Sequence, residues 1–260
     1  MTSASAAPGR AQAMVLAAGR GERMRPLTDL TPMPLLEVQG KPLLQWHLEA
    51  LAQAGWRQAL INTAWLGEQI PARFGRCWPP AEDGGAAQAR LELSYSMEAH
   101  DFGGALETAG GIVRALPRLD DCFWIVAGDV YLPGFEFPPA AMQRFAASGK
   151  LAHLWLVPNP AHNPKGDFGL SGQGLALNLP ADAPGPRHTY STIGLYRREF
   201  FQAPHCPIPA GNPQGSAAPL APLLRSAMDA GQVSAELWLG GWTDVGTPER
   251  LAQLNQQPSS

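Results

Sequence analysis

Residues 19 to 25 carry the first chemical signal in this chain. The apolar run MVLAA (14 to 18) empties into Gly19, Arg20 and Gly21, and Arg23 and Arg25 follow. Glycines let backbone N–H groups close in on an anion, and successive N–H groups form a nest for phosphate oxygens. The arginines add charge-assisted donors. Open α/β sheets bind ligands beyond the carboxyl ends of their strands, so a strand running into this loop predicts a phosphate site there. The string is neither a GxxxxGK[ST] P-loop nor a GxGxxG fingerprint, and a bare GxG after a strand fits an ordinary tight turn equally well. Two aspartates stand out further on. Asp129 and Asp244 each follow an apolar run and precede a valine, and each alone also suits a turn or a helix cap.

These residues need a scaffold, and the pattern supplies one. After the strand at 14 to 18, a helix is predicted over 42 to 54, with Pro42 at its first position, Leu44, Leu48 and Leu51 on one face, and Gly55 ending it. Strands are predicted at 58 to 63 and 91 to 95, and helices at 66 to 74 and 107 to 116. FWIVAGD (123 to 129) is apolar enough to be a central parallel strand. Another helix and the strand LAHLWLV (151 to 157) continue the alternation. Strand–helix alternation over the first 150 residues or so implies a parallel sheet covered on both faces. The second half changes character. Strands at 168 to 170, 174 to 177 and 189 to 196 come without helices between them. A Pro-rich loop, a helix at 220 to 230, the strand VSAELWL and a last helix at 247 to 255 follow. Residues 78 to 89 read as a surface loop, Trp46, Trp65, Trp124 and Trp155 as core, and His162 and His188 as ordinary surface or core histidines. No internal repeat is present, and no hexapeptide period closes the chain.

Composition narrows the function classes. Of 260 residues, 45% are hydrophobic and 16% charged, a globular balance. Nineteen Lys+Arg against 22 Asp+Glu leave a formal charge of −3, without the basic surplus of a nucleic-acid binder. No apolar run reaches the roughly 20 residues that cross a bilayer, and the start MTSASAAPGRAQA lacks the apolar core of a signal peptide. Cys77, Cys122 and Cys206, widely spaced and odd in number, read as free thiols of a cytoplasmic protein.

The longer strings are more specific. LAAGRGERMRPLT followed by TPMPLLEVQGKPLL resembles the signature of the sugar-phosphate nucleotidyltransferases. The likeness continues through INTAWLGEQI, ETAGGIVRALP, VAGDV, NPAHNPKGDFGL and WTDVGTPERL, from Ala13 to Leu254. NTAWLGEQI and the GDF string are particular to the branch that acts on N-acetylmuramate 1-phosphate in bacterial cell-wall recycling. The resemblance implies a Rossmann-like, three-layer α/β fold of the GT-A-like kind, with a mixed central sheet and a small substrate-facing lobe. The small, polar start suggests a disordered tail over 1–12, and the resemblance implies a single domain over 13–256, with a nucleotide-binding half (13–130) and a sugar-binding half (131–256). The implied reaction is Mg²⁺-dependent transfer of a nucleotidyl group, from UTP first of all, to a sugar 1-phosphate, releasing pyrophosphate. Its partners are those two small substrates, with no nucleic acid and no membrane, in a cytoplasmic monomer or weak homo-oligomer.

Residue by residue, the resemblance assigns nucleotide contacts to Ala18, Gly19, Arg20, Gly21, Glu22, Arg23, Met33 and Ala127. It assigns sugar-phosphate contacts to Glu107, Thr108, Gly110, Asn159 and Asp167, and the metal to Asp129 and Asp244, which with Arg23 form the catalytic set. Carboxylates suit Mg²⁺, which binds through few protein ligands and keeps its phosphate and water oxygens. Three positions depart from the pattern. Met33 stands where the family has a lysine, Ala127 where the muramate branch has a polar residue, and ETAGG replaces a triple glycine. Two other readings therefore stay open: thymidylyl or guanylyl transfer to glucose or mannose phosphates, and a nucleotide-sugar binder without turnover.

Overall fold

The computed structural model describes residues 9–80, 90–180 and 185–256. Four strands form the parallel heart of a ten-stranded mixed sheet. They are β1 (Ala11–Ala17), β2 (Gln58–Thr63), β3 (Leu91–Met97) and β4 (Leu119–Ala127), in the spatial order β4-β1-β2-β3. β1 has a neighbour on each edge, which explains its apolar run. It also begins earlier than the sequence predicts: Ala11 and Gln12 belong to the strand, with Ala11 opposite Leu119. Residues 1–8 of the expected tail, and 81–89 of the expected loop, lie outside the described residues.

The helices cover both faces. α1 (Leu43–Gln53) and α3 (Pro139–Ser148) pack on one; α2 (Glu107–Ala115) and α4 (Leu220–Asp229) pack on the other. Side chains of a strand alternate between faces, and β1 shows the division: Ala13, Val15 and Ala17 join the α1 side, Met14 the α2 side. β4 divides likewise, Trp124 and Val126 against Phe123 and Ile125. Pro42 caps α1 rather than occupying its first turn, and Gly55 beyond its end takes a left-handed φ of 86°. Trp124 and Trp155 are core residues, but Trp46 and Trp65 are only half-buried.

The second half enters the same sheet. β5 (Ala152–Val157) pairs antiparallel with β8 (Arg187–Arg197), which in turn lies antiparallel to β4. A hairpin of β6 (Phe168–Leu170) and β7 (Ala176–Leu177) joins the start of β8, and β9 (Val233–Leu237) lies parallel to β5. Between Tyr190 and Gly194 the pairing of β8 with β5 shifts register, and Thr192 there has a φ of 63°. A third, smaller core joins Met24, Met33, Val38, Leu43, Tyr131, Val245 and Leu251. It fastens the glycine loop to α5 (Pro248–Gln256), the last helix.

Candidate active site

The carboxyl ends of β1 and β4 are neighbours, with Leu16 opposite Ala127. The Gly128 N–H donates to the Leu16 carbonyl at 2.7 Å. A Cβ at Gly128 would sit 3.0 Å from that oxygen, a contact tighter than almost all side chains make, so glycine eases the approach. The two loops that follow these strands are thereby held side by side. Gly21, at φ 63°, starts a short 3₁₀ turn over Glu22–Met24. A Cβ there would be strained by the left-handed φ and crowded by Thr28 Cγ2 at 3.0 Å and Met33 Sδ at 3.1 Å. At Gly19 a Cβ would meet nothing within 4 Å. Ala18 and Gly19 border a cavity of about 610 Å³.

The arginines of the loop divide their work. Arg20 stacks its guanidinium 3.6 Å above the Trp65 ring and donates to the Thr28 carbonyl and to Asp29 Oδ1. Arg25 Nε donates to the same Asp29 oxygen at 2.9 Å. These two side chains close the loop on itself. Arg23 is exposed and has no hydrogen-bond partner among the described residues, and its Nη2 lies 3.0 Å from where a Gly246 Cβ would project.

The two aspartates, 115 residues apart in sequence, meet on a short antiparallel ribbon. Thr243–Asp244 pairs with Val130–Tyr131, and the Val245 N–H donates to the Asp129 carbonyl at 2.8 Å. Burial pushes the Asp129 carboxyl above the ordinary carboxylate range and the Asp244 charge adds to this, while Arg23 and Arg250 oppose it. Arg250, on α5, bonds Asp244 Oδ1, and His162 Nε2 lies 2.8 Å from the same oxygen. Gly246, after Val245, lies under these side chains: a Cβ there would meet Arg250 Nη2 at 2.7 Å and Asp244 Oδ2 at 3.3 Å. Beneath the ribbon, buried His47 sets its Nε2 3.0 Å from the Val130 carbonyl. Burial lowers its pKa to about 4, so a neutral ring donates there at physiological pH.

From the loop the cavity runs past Met33, Ala127 and Asp129 to Glu107, Thr108 and Asp167. Two non-glycine residues on its wall hold left-handed backbone, Glu107 (φ 56°) and Thr192 (φ 63°). Such strain is retained where the surrounding structure over-determines it. Asp167 accepts from the Tyr190 N–H at 2.8 Å and from Asn163 Nδ2 at 3.2 Å. Gly110 and Asn159 do not reach the cavity. Gly110 lets α2 approach the 216–218 backbone, where a Cβ would meet the Ser216 carbonyl at 2.5 Å. Asn159 spends its amide on the carbonyls of Pro164 and Arg187 and accepts from Thr189 Oγ1. It staples the 159–167 loop to β8. In the wall itself, Asn62 Oδ1 accepts from the Ala17 N–H at 2.9 Å, and Asn62 Nδ2 donates to Glu98 Oε1 at 2.6 Å. Glu98 Oε2 accepts from the Leu106 N–H at 2.8 Å, just ahead of Glu107. A buried relay thus ties the end of β1 to the start of α2.

The family model described as nucleotidyl transferase matches residues 12–176. The chain belongs to the nucleotidyl transferase family. It is 46% identical to the N-acetylmuramate alpha-1-phosphate uridylyltransferase of Neisseria meningitidis serogroup B, over 93% of this chain and 96% of that one. The protein of the same name from Caulobacter vibrioides is 29% identical over 91% of this chain and 92% of its own. The glucose-1-phosphate thymidylyltransferase of Streptomyces griseus is 28% identical over 94% of this chain and 65% of its own. A solved Bacillus anthracis structure, provisionally assigned as a glucose-1-phosphate thymidylyltransferase, superposes with a TM-score of 0.71 at 18% identity, covering 94% of this chain and 93% of its own. That likeness speaks for the fold.

Asp129 and Asp244 stand close enough for the Asp244 charge to act on the Asp129 carboxyl, and two such oxygen donors could hold a hard divalent cation, which needs few protein ligands. Among the described residues, no cluster of three or more His, Cys, Asp or Glu forms a denser metal site. Met33, where the family pattern has lysine, is buried in the core beneath the loop. Arg250, His162, Asn62, Glu98 and Thr192 were not singled out from the sequence as site residues. Arg250 had a local signal, since it follows the DVGT string on the same segment. The others come to the site through long-range contacts that no spacing announces.

Proposed function

We propose that this chain transfers the uridylyl group of UTP to N-acetylmuramate 1-phosphate, giving the UDP-sugar and pyrophosphate, as a step of cell-wall sugar recycling. The ribbon that sets Asp244 beside Asp129, at the edge of a cavity bordered by the glycine loop, carries the reading. The choice of uracil and muramate is supported by the Neisseria meningitidis relative, which spans nearly the whole chain.

The acceptor phosphate has a second pKa of roughly 6, so it is largely a dianion at neutral pH and needs no general base. One of its oxygens bonds to the α-phosphorus in line. The bond from that phosphorus to the bridging oxygen breaks, and the electron pair leaves with pyrophosphate. When bound, Mg²⁺ supplies the charge neutralisation that lets one anion approach another. Asp129 and Asp244 would hold that cation, and Arg250 orients the Asp244 carboxylate. The backbone from Ala18 to Glu22 receives the triphosphate, and the exposed Arg23 guanidinium receives the charge of the leaving pyrophosphate. Met33 and Ala127 border the nucleotide; Glu107, Thr108 and Asp167 border the sugar. Arg20, Gly110 and Asn159 act through the loops and helix that they hold. Positioning and fixed charge do the catalytic work.

Met33 favours a second reading, a sugar-nucleotide binder without turnover, because a thioether brings no charge to the phosphates. Pyrophosphate release with Mg²⁺, across the four triphosphates and several sugar 1-phosphates, separates the two. The proposal expects the fastest release with UTP and N-acetylmuramate 1-phosphate; no release with any pair selects the binder. Asp129→Asn and Asp244→Asn are each expected to lower kcat by about 100-fold or more. Asp129→Asn should still fold, since it removes a carboxyl that burial already disfavours in its charged form.

A further inference from the structure

Phe168, Leu220, Leu224 and Arg225 also line the cavity. Arg225 is the one Lys or Arg among the described residues that line it, whereas Glu107, Asp129 and Asp167 are acids. Its guanidinium lies 5.2 Å from the centre of the Phe168 ring, and its Nη1 donates to Asn178 Oδ1 at 2.7 Å. The Asn178 amide is itself set, because its Nδ2 donates to both Asp229 carboxylate oxygens at 3.1 Å. A neutral acceptor thus aims the guanidinium, and no carboxylate among the described residues lies within 4.0 Å of it to balance the charge. A half-buried, oriented and unbalanced guanidinium facing a cavity is suited to a planar anion, which it meets through two parallel N–H donors.

We infer that Arg225 reads a carboxylate on the sugar and so selects a sugar acid 1-phosphate over a neutral hexose 1-phosphate. The inference rests on the proposed muramate reading and deepens it. N-acetylmuramate is N-acetylglucosamine with a lactyl ether, and the two differ at this point by one carboxylate and a short apolar arm. Arg225 takes the carboxylate; Phe168, Leu220 and Leu224 offer apolar surface to the arm. The reacting phosphate is served separately by the aspartate ribbon. The two anionic groups of one substrate are therefore received by different parts of the protein, which fixes the sugar's direction as well as its identity.

Initial rates test this, with UTP and Mg²⁺ saturating, for N-acetylmuramate 1-phosphate and N-acetylglucosamine 1-phosphate. Arg225→Gln is expected to lower the ratio of kcat/KM for the acid over the neutral sugar by about 30-fold, the size of one lost charge-assisted pair. The loss should fall on KM for the acid, and Arg225→Lys should restore part of it. An equal loss with both sugars, or none with either, overturns the assignment. If the wild-type protein turns over neither sugar phosphate, the muramate reading fails, and calorimetric titration decides Arg225 by itself. Wild type should then bind free N-acetylmuramate more tightly than N-acetylglucosamine, and Arg225→Gln should abolish the difference. Equal affinities in the wild type, or a preference that survives in the variant, would again remove Arg225 from this role.

Discussion

Asn62→Asp changes one buried atom and tests the relay that joins the two halves of the cavity wall. Asn62 Nδ2 stands 2.6 Å from Glu98 Oε1, with both residues buried. The substitution sets oxygen against oxygen at about that separation. Two unit charges so close repel by about 6 kcal/mol even at an effective dielectric of 20, a large part of a domain's total stability. The pair therefore keeps one proton between its carboxylates instead of carrying two charges. In the unfolded chain both groups ionise in the ordinary carboxylate range. The native state then binds one more proton than the unfolded state, and stability falls as pH rises, by up to about 1.4 kcal/mol per pH unit. Wild-type Glu98 already titrates above the usual range because burial disfavours its charge. The wild type therefore slopes in the same sense until its own folded pKa is passed, and the gap to the variant opens above that point. At acid pH the shared proton preserves the contact, and the new carboxyl still accepts from the Ala17 N–H, so the variant should be within about 1 kcal/mol of wild type. Urea denaturation of both proteins across a pH series, followed by tryptophan fluorescence, measures the gap. It should widen by about 2–3 kcal/mol between pH 6 and pH 8. A gap that stays constant over that range would mean that the two side chains do not touch, and the relay would be wrong.

Three other perturbations follow from the same geometry. The folded pKa of His47 is lowered to about 4 by burial, so its contribution is present above the unfolded value and lost as pH falls towards 4. That contribution is about 3 kcal/mol, and His47→Gln should flatten this part of the wild-type stability profile; an unchanged slope on acid titration would refute it. Thr192→Gly relieves a left-handed β-branched residue at the cost of backbone entropy, so stability should hold or rise by about 1 kcal/mol while turnover drops. A thermal melt showing clear destabilisation would mean that the conformation is not strained. Met33→Lys puts a charge at the cavity edge from a packed position, and is expected to lower KM for the triphosphate while costing about 1–2 kcal/mol of stability; a raised KM in steady-state kinetics would show that this loop is arranged differently from the family pattern.

The chain pattern alone determined most of the scaffold. Alternation of apolar runs with helical periodicity located the strands of the parallel heart and the helices of both faces, because burial on two sides of a sheet leaves a legible mark. Gly21 was legible for the same kind of local reason: its backbone conformation and its closeness to Thr28 and Met33 are properties of one short segment. Tertiary structure decided what the segments do to each other. Arg20 and Arg23 are alike in sequence, yet one is locked against Trp65 and Asp29 while the other, among the described residues, stands without a partner beside the aspartates. Asn159 and Asp167 sit on one loop, yet only Asp167 borders the cavity. Asn62, Glu98, His162 and Arg225 gain their roles from partners 36 or more residues away. Short-range patterns encode which residues are buried; they do not encode which polar groups meet, since that depends on how distant segments are brought into register.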